Sequence, residues 1–85
     1  MSQIEILARY GIPSRTMAIE PIRSEIDGAW RIRIIPDGGR SQYFDADAAA
    51  KLADELRSGG ERLLATRIEI GIEQARRLAQ SERAA

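Results

Sequence analysis

The chain contains no cysteine and no histidine, and it has a single lysine. A chain without cysteine forms no disulfide and performs no thiolate chemistry, and we expect it in the cytoplasm. Zinc sites almost always use cysteine or histidine ligands, so zinc chemistry is excluded. Ser-His-Asp triads and imidazole bases are excluded too. We therefore expect no enzymatic activity, no metal and no cofactor.

Long apolar runs are also missing. The longest uninterrupted runs have three residues, as at 6–8, whereas a membrane span needs about 20. The first residues, Met-Ser-Gln-Ile-Glu, lack the basic and apolar regions of a secretory leader. We therefore expect no membrane partner.

Neither sign of charge is in excess. Thirteen basic side chains balance thirteen acidic ones, and no segment is strongly basic or acidic. The sequence therefore provides no electrostatic arm for nucleic acid or anionic lipid.

The length predicts one small domain over residues 1–85, with a frayed tail at 83–85. A chain of this size buries only about 60–65% of the surface that its unfolded form exposes. Small domains without disulfides or metals often share a core with a second subunit, so we expect a homodimer.

The N-terminal segment predicts a short helix over 3–10. Ser2 and Glu5 have the spacing of a capping box, and Gly11 lies where a helix of this length would end.

Three segments that follow predict an antiparallel meander. Residues 16–26 alternate in polarity but contain Pro21, which cannot donate to a ladder, so this strand lies at an edge or contains a bulge. Residues 29–35 form the clearest strand, and residues 40–44 form the third, with turn residues at 36–39 between them.

Two helices complete the chain. Asp-Ala-Asp at 45–47 predicts the start of a helix that ends near Arg57. A glycine pair ends this helix, and Ser58 and Glu61 have the spacing of a capping box for a second helix over 61–82. The predicted fold is therefore α+β, a three-stranded antiparallel meander followed by a helical hairpin. The predicted core contains Trp30, Ile32, Ile34, Phe44, Leu52, Leu56, Leu64, Ile68 and Ile72.

The helix over 61–82 has two apolar stripes, which indicates two partners. One partner is the sheet or the first helix of the hairpin, and the other is a second subunit. Gly71 and Ala75 are small residues that would allow another backbone to approach closely. These small residues form a packing seam along the helix. The pattern does not decide whether this seam is intramolecular or intermolecular. The predicted dimer interface contains Leu63, Ile70, Gly71, Ala75 and Leu78.

The arginines of the sheet are candidate nucleic-acid contacts. Arg31 and Arg33 share the strand face opposite Trp30, Arg40 begins the next strand, and Arg23 is nearby. Guanidinium groups on an open sheet face suit phosphate and major-groove contacts. The alternative is an ordinary polar face. If Glu20 and Glu25 neutralise these arginines, the face is an ordinary polar surface. If they do not, the face is a candidate DNA-binding surface.

Residues 29–56 resemble the AP2-like and arm-type DNA-binding modules of phage integrases. The resemblance rests on Trp30-x-Ile32-x-Ile34, Asp37-Gly38-Gly39, and Phe44 followed by an alanine-rich helix. It implies a three-stranded sheet in the DNA groove with one helix behind it, and it implies that Arg31, Arg33 and Arg40 face DNA. The chain departs from these modules in its neutral charge and in its second long helix.

Residues 43–47, Tyr-Phe-Asp-Ala-Asp, resemble the nucleophile motif of haloacid dehalogenase-like phosphatases. The resemblance implies that Asp45 attacks phosphorus and that Asp47 acts as acid or base beside magnesium. It covers five residues, and the later motifs of those enzymes have no room in this chain. We favour the alternative, in which the two aspartates cap and charge a helix N-terminus.

The sequence thus favours a small non-enzymatic protein-interaction module that dimerises through its C-terminal helix and binds an unidentified protein. The alternative is a DNA-binding accessory or regulatory protein that uses the arginine-bearing face of the sheet.

Overall fold

The computed structural model describes residues 3–84. The elements follow in the order α1 (Gln3–Arg9), β1 (Met17–Arg23), β2 (Trp30–Pro36), β3 (Gln42–Phe44), α2 (Ala46–Ser58) and α3 (Arg62–Ala84). The three strands form one antiparallel sheet in the order β1-β2-β3. The predicted α+β fold, with its meander, helical hairpin and short N-terminal helix, is therefore confirmed. Ser2 of the predicted capping box lies outside the described residues.

The bounds of several elements differ from the predicted ones. β1 ends at Arg23 because residues 24–28 form the turn to β2. β3 begins at Gln42, two residues later than predicted, and α3 continues to Ala84. The single domain over residues 1–85 stays a prediction.

Pro21 lies in an edge strand without a bulge. The register between β1 and β2 is continuous and pairs Pro21 with Ile32. Hydrogen bonds join Thr16 to Asp37 and Ser24 to Ala29 beyond the two ends of this ladder. Because bonded and non-bonded pairs alternate, Pro21 occupies a non-bonded position, where its nitrogen faces away from β2. The edge alternative is therefore correct.

The core lies between one face of the sheet and the helices. Eight of the nine predicted core residues are buried, and the ninth, Trp30, is half-buried against the cluster. The N-terminal segment adds core residues that were not predicted, since Ile6, Leu7, Ile12 and Met17 are also buried.

Capping interactions define both ends of α2 and the turn that follows it. The Asp45 side chain accepts a hydrogen bond from Ala48 N at 2.7 Å, as an N-cap does. At the other end, Glu61 N donates to Leu56 O and Gly60 N donates to Arg57 O. These two bonds form a Schellman motif, which requires the positive φ of 90° at Gly60.

The predicted capping box of Ser58 and Glu61 is wrong. Ser58 is the last residue of α2, and Glu61 itself precedes the first residue of α3. The Glu61 carboxylate is largely buried and pairs with Arg15 at 2.5 Å. A carboxylate at this position also complements the α3 dipole.

α3 covers the inner face of the sheet along β1 and β2. Arg67 Nη2 donates to Met17 O at 2.9 Å, and Arg23 Nη1 lies 3.4 Å from Glu82 Oε1. These two contacts join α3 to the edge strand β1. Among the described residues, no helix combines the length and the apolar character needed to cross a membrane.

Candidate interaction surface

Within the part of the chain that the structure describes, no helix covers one face of the sheet, which we call the open face. Side chains alternate across the pleat, so the residues opposite the core share this face. It contains Ala18, Glu20, Ile22, Arg31, Arg33, Ile35 and Tyr43.

Arg33 occupies the middle of the open face. Its cross-strand neighbours are Glu20 on β1 and Tyr43 on β3. The Arg33 guanidinium donates a hydrogen bond to the Glu20 carboxylate, and the two side chains form an ion pair. Hydrogen bonds to Glu20 and then to Tyr43 raise the pKa of Arg33. The pairing with Glu20 is the one expected for an ordinary polar face.

Arg31 is also paired, but with a different residue from the predicted one. Its Nη2 donates to Asp27 Oδ2 at 2.8 Å, so Asp27 and not Glu25 neutralises it. Asp27 Oδ1 accepts a hydrogen bond from Ala29 N at 3.0 Å. The backbone hydrogen bond from Ala29, followed by the one from Arg31, lowers the pKa of Asp27. This role of Asp27 was not predicted, because only Glu20 and Glu25 were considered as partners of the sheet arginines.

Arg40 does not join the other two arginines. It lies in the loop before β3, beyond the end of β2 opposite to Arg31. There it lines a shallow depression of about 370 Å³ together with Pro13, Gly39 and Gln42. The prediction that Arg40 begins a strand is therefore wrong, because the turn after β2 is longer than its glycine pair indicates.

The turn between β1 and β2 is held by its own hydrogen bonds. Gly28 N donates to Ser24 O at 2.9 Å, and Ile26 N donates to Ser24 Oγ at 3.2 Å. Arg23 Nε donates to Gly28 O at 3.3 Å. At the tip of this turn, the Ile26 side chain is 97% exposed. An isoleucine in a polar turn is the signal by which sequence reasoning could have found this feature.

A recess of about 580 Å³ adjoins this turn. Ile22 and Arg31 are cross-strand partners on the open face, and Tyr43 contributes from β3. We call this region the turn-end surface. Its lining residues are Ile22, Arg23, Ser24, Glu25, Ile26, Asp27, Arg31 and Tyr43.

The predicted dimer interface on α3 is wrong for two of its residues. Gly71 and Ala75 are buried within the chain itself. A Cβ at Gly71 would lie 3.3 Å from Ile19 Cγ2 and 3.7 Å from Ile32 Cγ2. The seam of small residues is therefore intramolecular, and Gly71 packs against isoleucine side chains of the sheet. Leu63 and Ile70, at 77% and 53% exposure, and Leu78 face away from the core.

Two acidic residues at α2, Asp45 and Glu55, have structural partners. Asp45 is the N-cap, as the alternative to the phosphatase motif expects. Glu55 accepts a hydrogen bond from Tyr10 Oη at 3.1 Å and pairs with Arg9, which links α1 to α2. Burial and then the hydrogen bond to Glu55 raise the pKa of Tyr10. Within residues 3–84, no three acidic side chains converge as metal ligands would.

No family model, no curated protein and no solved structure matches the chain. The resemblance to the integrase modules stays a prediction from residues 29–56.

Proposed function

We propose that the chain is a non-enzymatic protein-interaction module that binds its partner through the turn-end surface. The observation that carries this proposal is Ile26, which is 97% exposed on a turn with its own hydrogen bonds. Burying an isoleucine side chain stabilises a complex by about 1.5–3 kcal/mol, a gain that the chain alone leaves unused.

The surroundings of Ile26 suit a protein contact. Anchor residues of interfaces lie beside recesses, and tyrosine and arginine are enriched among them. Here Tyr43 and Arg31 line the same recess as Ile26. Because hydrogen bonds already order the turn, binding would cost little conformational entropy.

DNA binding is the competing function. Its support is that Arg31 and Arg33 both lie on the open face, as the resemblance to the integrase modules requires. However, each is paired with a carboxylate of the same chain, and the net charge is zero. Affinity for DNA comes largely from cations that neutralise phosphates. The neutralised arginines therefore favour the protein partner.

Two matched variants test this proposal. Ile26→Asp places a charge at the turn-end surface, and Leu63→Asp places one at an exposed apolar position of α3. Tagged wild-type and variant proteins would be used to capture partners from the cells that produce the chain. The captured partner would then be purified and titrated by calorimetry.

We expect wild type and Leu63→Asp to bind the partner equally and Ile26→Asp to bind at least about tenfold more weakly. Equal binding by Ile26→Asp would overturn the proposal, and so would the absence of any specific partner.

A further inference from the structure

We infer that Pro21 and Arg67 close the outer edge of β1 to pairing with a further strand. Within residues 3–84, β1 has a strand on one side only, because the sheet order is β1-β2-β3. The backbone groups that face away from β2 are a template for a strand of another chain, and natural proteins often block such an edge. The proposed function does not depend on this edge.

The register of β1 with β2 identifies the residues whose backbone groups face outward. Thr16 and Ser24, at the two ends of β1, make hydrogen bonds that continue the ladder. Bonded and non-bonded positions alternate along an antiparallel pair, and the backbone groups of a non-bonded residue face away from the partner strand. The outward positions of β1 are therefore Met17, Ile19, Pro21 and Arg23.

Two of these four positions cannot make the full set of bonds with a further strand. Pro21 has no N–H, so it offers an acceptor without the accompanying donor. The carbonyl oxygen of Met17 already accepts a hydrogen bond from Arg67 Nη2 at 2.9 Å. Between Met17 and Pro21, within the part of the chain that the structure describes, only Ile19 keeps both a donor and an acceptor for a new partner.

The length and composition of β1 explain why its edge needs such a block. β3 has three residues, and a short edge strand is a poor template, whereas β1 has seven. Segments of six or seven residues with high β-propensity, low net charge and no proline pair readily with their own copies. Residues 17–23 contain two isoleucines, and their one glutamate and one arginine cancel in charge. Pro21 is thus the residue that removes this segment from the aggregation-prone class.

Opening both blocked positions should make the chain associate through β1. The double variant Pro21→Val and Arg67→Met restores the donor at position 21 and releases the Met17 carbonyl. We expect sedimentation equilibrium to show self-association at least about tenfold stronger than that of the wild type, because each regained hydrogen bond adds to the affinity. Arg67 is exposed and valine suits a strand, so the fold should be kept, which circular dichroism would check. Each single variant should show a smaller increase and tests the same edge.

A second double variant, Ala18→Val and Arg76→Met, is the matched control. It adds the same two side chains to the same strand and the same helix, both at exposed residues. The backbone groups of Ala18 face β2, so this variant adds no outward donor. We expect it to associate no more strongly than the wild type. Equal association of the two double variants would overturn the inference, since added apolar surface alone would then explain the effect.

Amide hydrogen exchange locates the contact. In the associated double variant, the amides at positions 19 and 21 should exchange more slowly as the chain concentration rises, because a second strand would hydrogen-bond them. Association without this protection would place the contact elsewhere and would overturn the inference. A double variant that associates no more than the wild type would overturn it as well.

Adding Ile26→Asp to the double variant separates this edge from the turn-end surface. We expect the association to be unchanged, because Ile26 lies beyond the end of β1. Loss of the association would assign the contact to the turn-end surface and would overturn the inference while leaving the proposed function intact. Conversely, loss of a captured partner in Ile26→Asp alone tests only the proposed function.

Discussion

Arg31 and Asp27 form an ion pair between β2 and the turn that precedes it, with Nη2 2.8 Å from Oδ2. The pair neutralises an arginine that the sequence offers as a DNA contact. It also links the turn that contains Ile26 to β2. The Asp27 carboxylate therefore neutralises a cation of the open face. It also helps to order the turn from which Ile26 projects.

The protonation of Asp27 should loosen this turn. Its pKa is lowered by the Ala29 backbone hydrogen bond and then by Arg31, so Asp27 stays ionised to lower pH in the folded chain than in the unfolded one. The stabilisation is present at neutral pH and is lost as the pH falls through the lowered value. We expect a carbon-13 NMR titration of the Asp27 carboxyl group to have a midpoint below that of an aspartate in an unfolded peptide.

The variant Arg31→Gln separates the two causes of this lowered pKa. Because the backbone hydrogen bond is the larger cause, we expect the variant to raise the Asp27 midpoint only part of the way. A wild-type midpoint equal to that of the unfolded peptide would contradict the hydrogen bonding described for the turn.

Gly71→Leu should destabilise the monomer. Even a Cβ at this position lies 3.3 Å from Ile19 Cγ2, so a leucine side chain must displace the Ile19 side chain or the helix. We expect the free energy of unfolding to fall by about 1–3 kcal/mol, measured by urea denaturation. The control Gln74→Leu, at an exposed position of the same helix, should change it by less than about 0.5 kcal/mol. Equal stability of the two variants would show that the helix does not approach the sheet closely.

The case of Gly71 shows which part of the fold the sequence could not predict. Apolar spacing correctly assigned Leu64, Ile68 and Ile72 of α3 to the core, because a helix repeats every 3.6 residues. It could not identify the covering element, since a sheet and a second helix bury the same stripe. The buried roles of Ile6 and Leu7 were missed for a similar reason, because α1 is too short for its pattern to indicate what it packs against.

The candidate site was predictable only in part. Alternation along β2 correctly placed Arg31 and Arg33 on one face, opposite Ile32. The position of Arg40 was predicted wrongly, because the start of β3 cannot be derived from the end of β2 when the length of the turn between them is unknown. Ile26 was misplaced for the same reason, since it was counted as part of a strand that ends at Arg23.

Gly60→Ala should destabilise the helical hairpin. Gly60 has a φ of 90° in the Schellman motif that ends α2, a conformation that costs a residue with a Cβ about 1–2 kcal/mol. We expect a loss of about this size in thermal or urea unfolding. Asparagine tolerates this region better than alanine, so Gly60→Asn should lose less. An alanine variant as stable as the wild type would count against the motif.

Asp45→Ala should weaken α2 by removing its N-cap. The side chain accepts a hydrogen bond from Ala48 N at 2.7 Å, and the loss of such a cap costs about 0.5–2 kcal/mol. Asp45→Ser should retain most of the stability, because a hydroxyl oxygen can accept the same bond. If Ser and Ala proved equally destabilising in urea unfolding, the charge of Asp45 and not its capping bond would be responsible.

The ion pairs of the open face should also control its affinity for DNA. In the wild type, Glu20 and Asp27 occupy the guanidinium groups that would contact phosphates. We expect no binding of a random 20-base-pair duplex at low salt, measured by fluorescence anisotropy. The double variant Glu20→Gln and Asp27→Asn frees Arg33 and Arg31 and raises the net charge by two. It should bind the duplex weakly, with an affinity that falls steeply as salt rises, because released counterions drive such binding. Salt-sensitive binding by the wild type that Arg31→Ala and Arg33→Ala abolish would instead establish the DNA alternative, since it would show that phosphates outcompete the two carboxylates for these arginines.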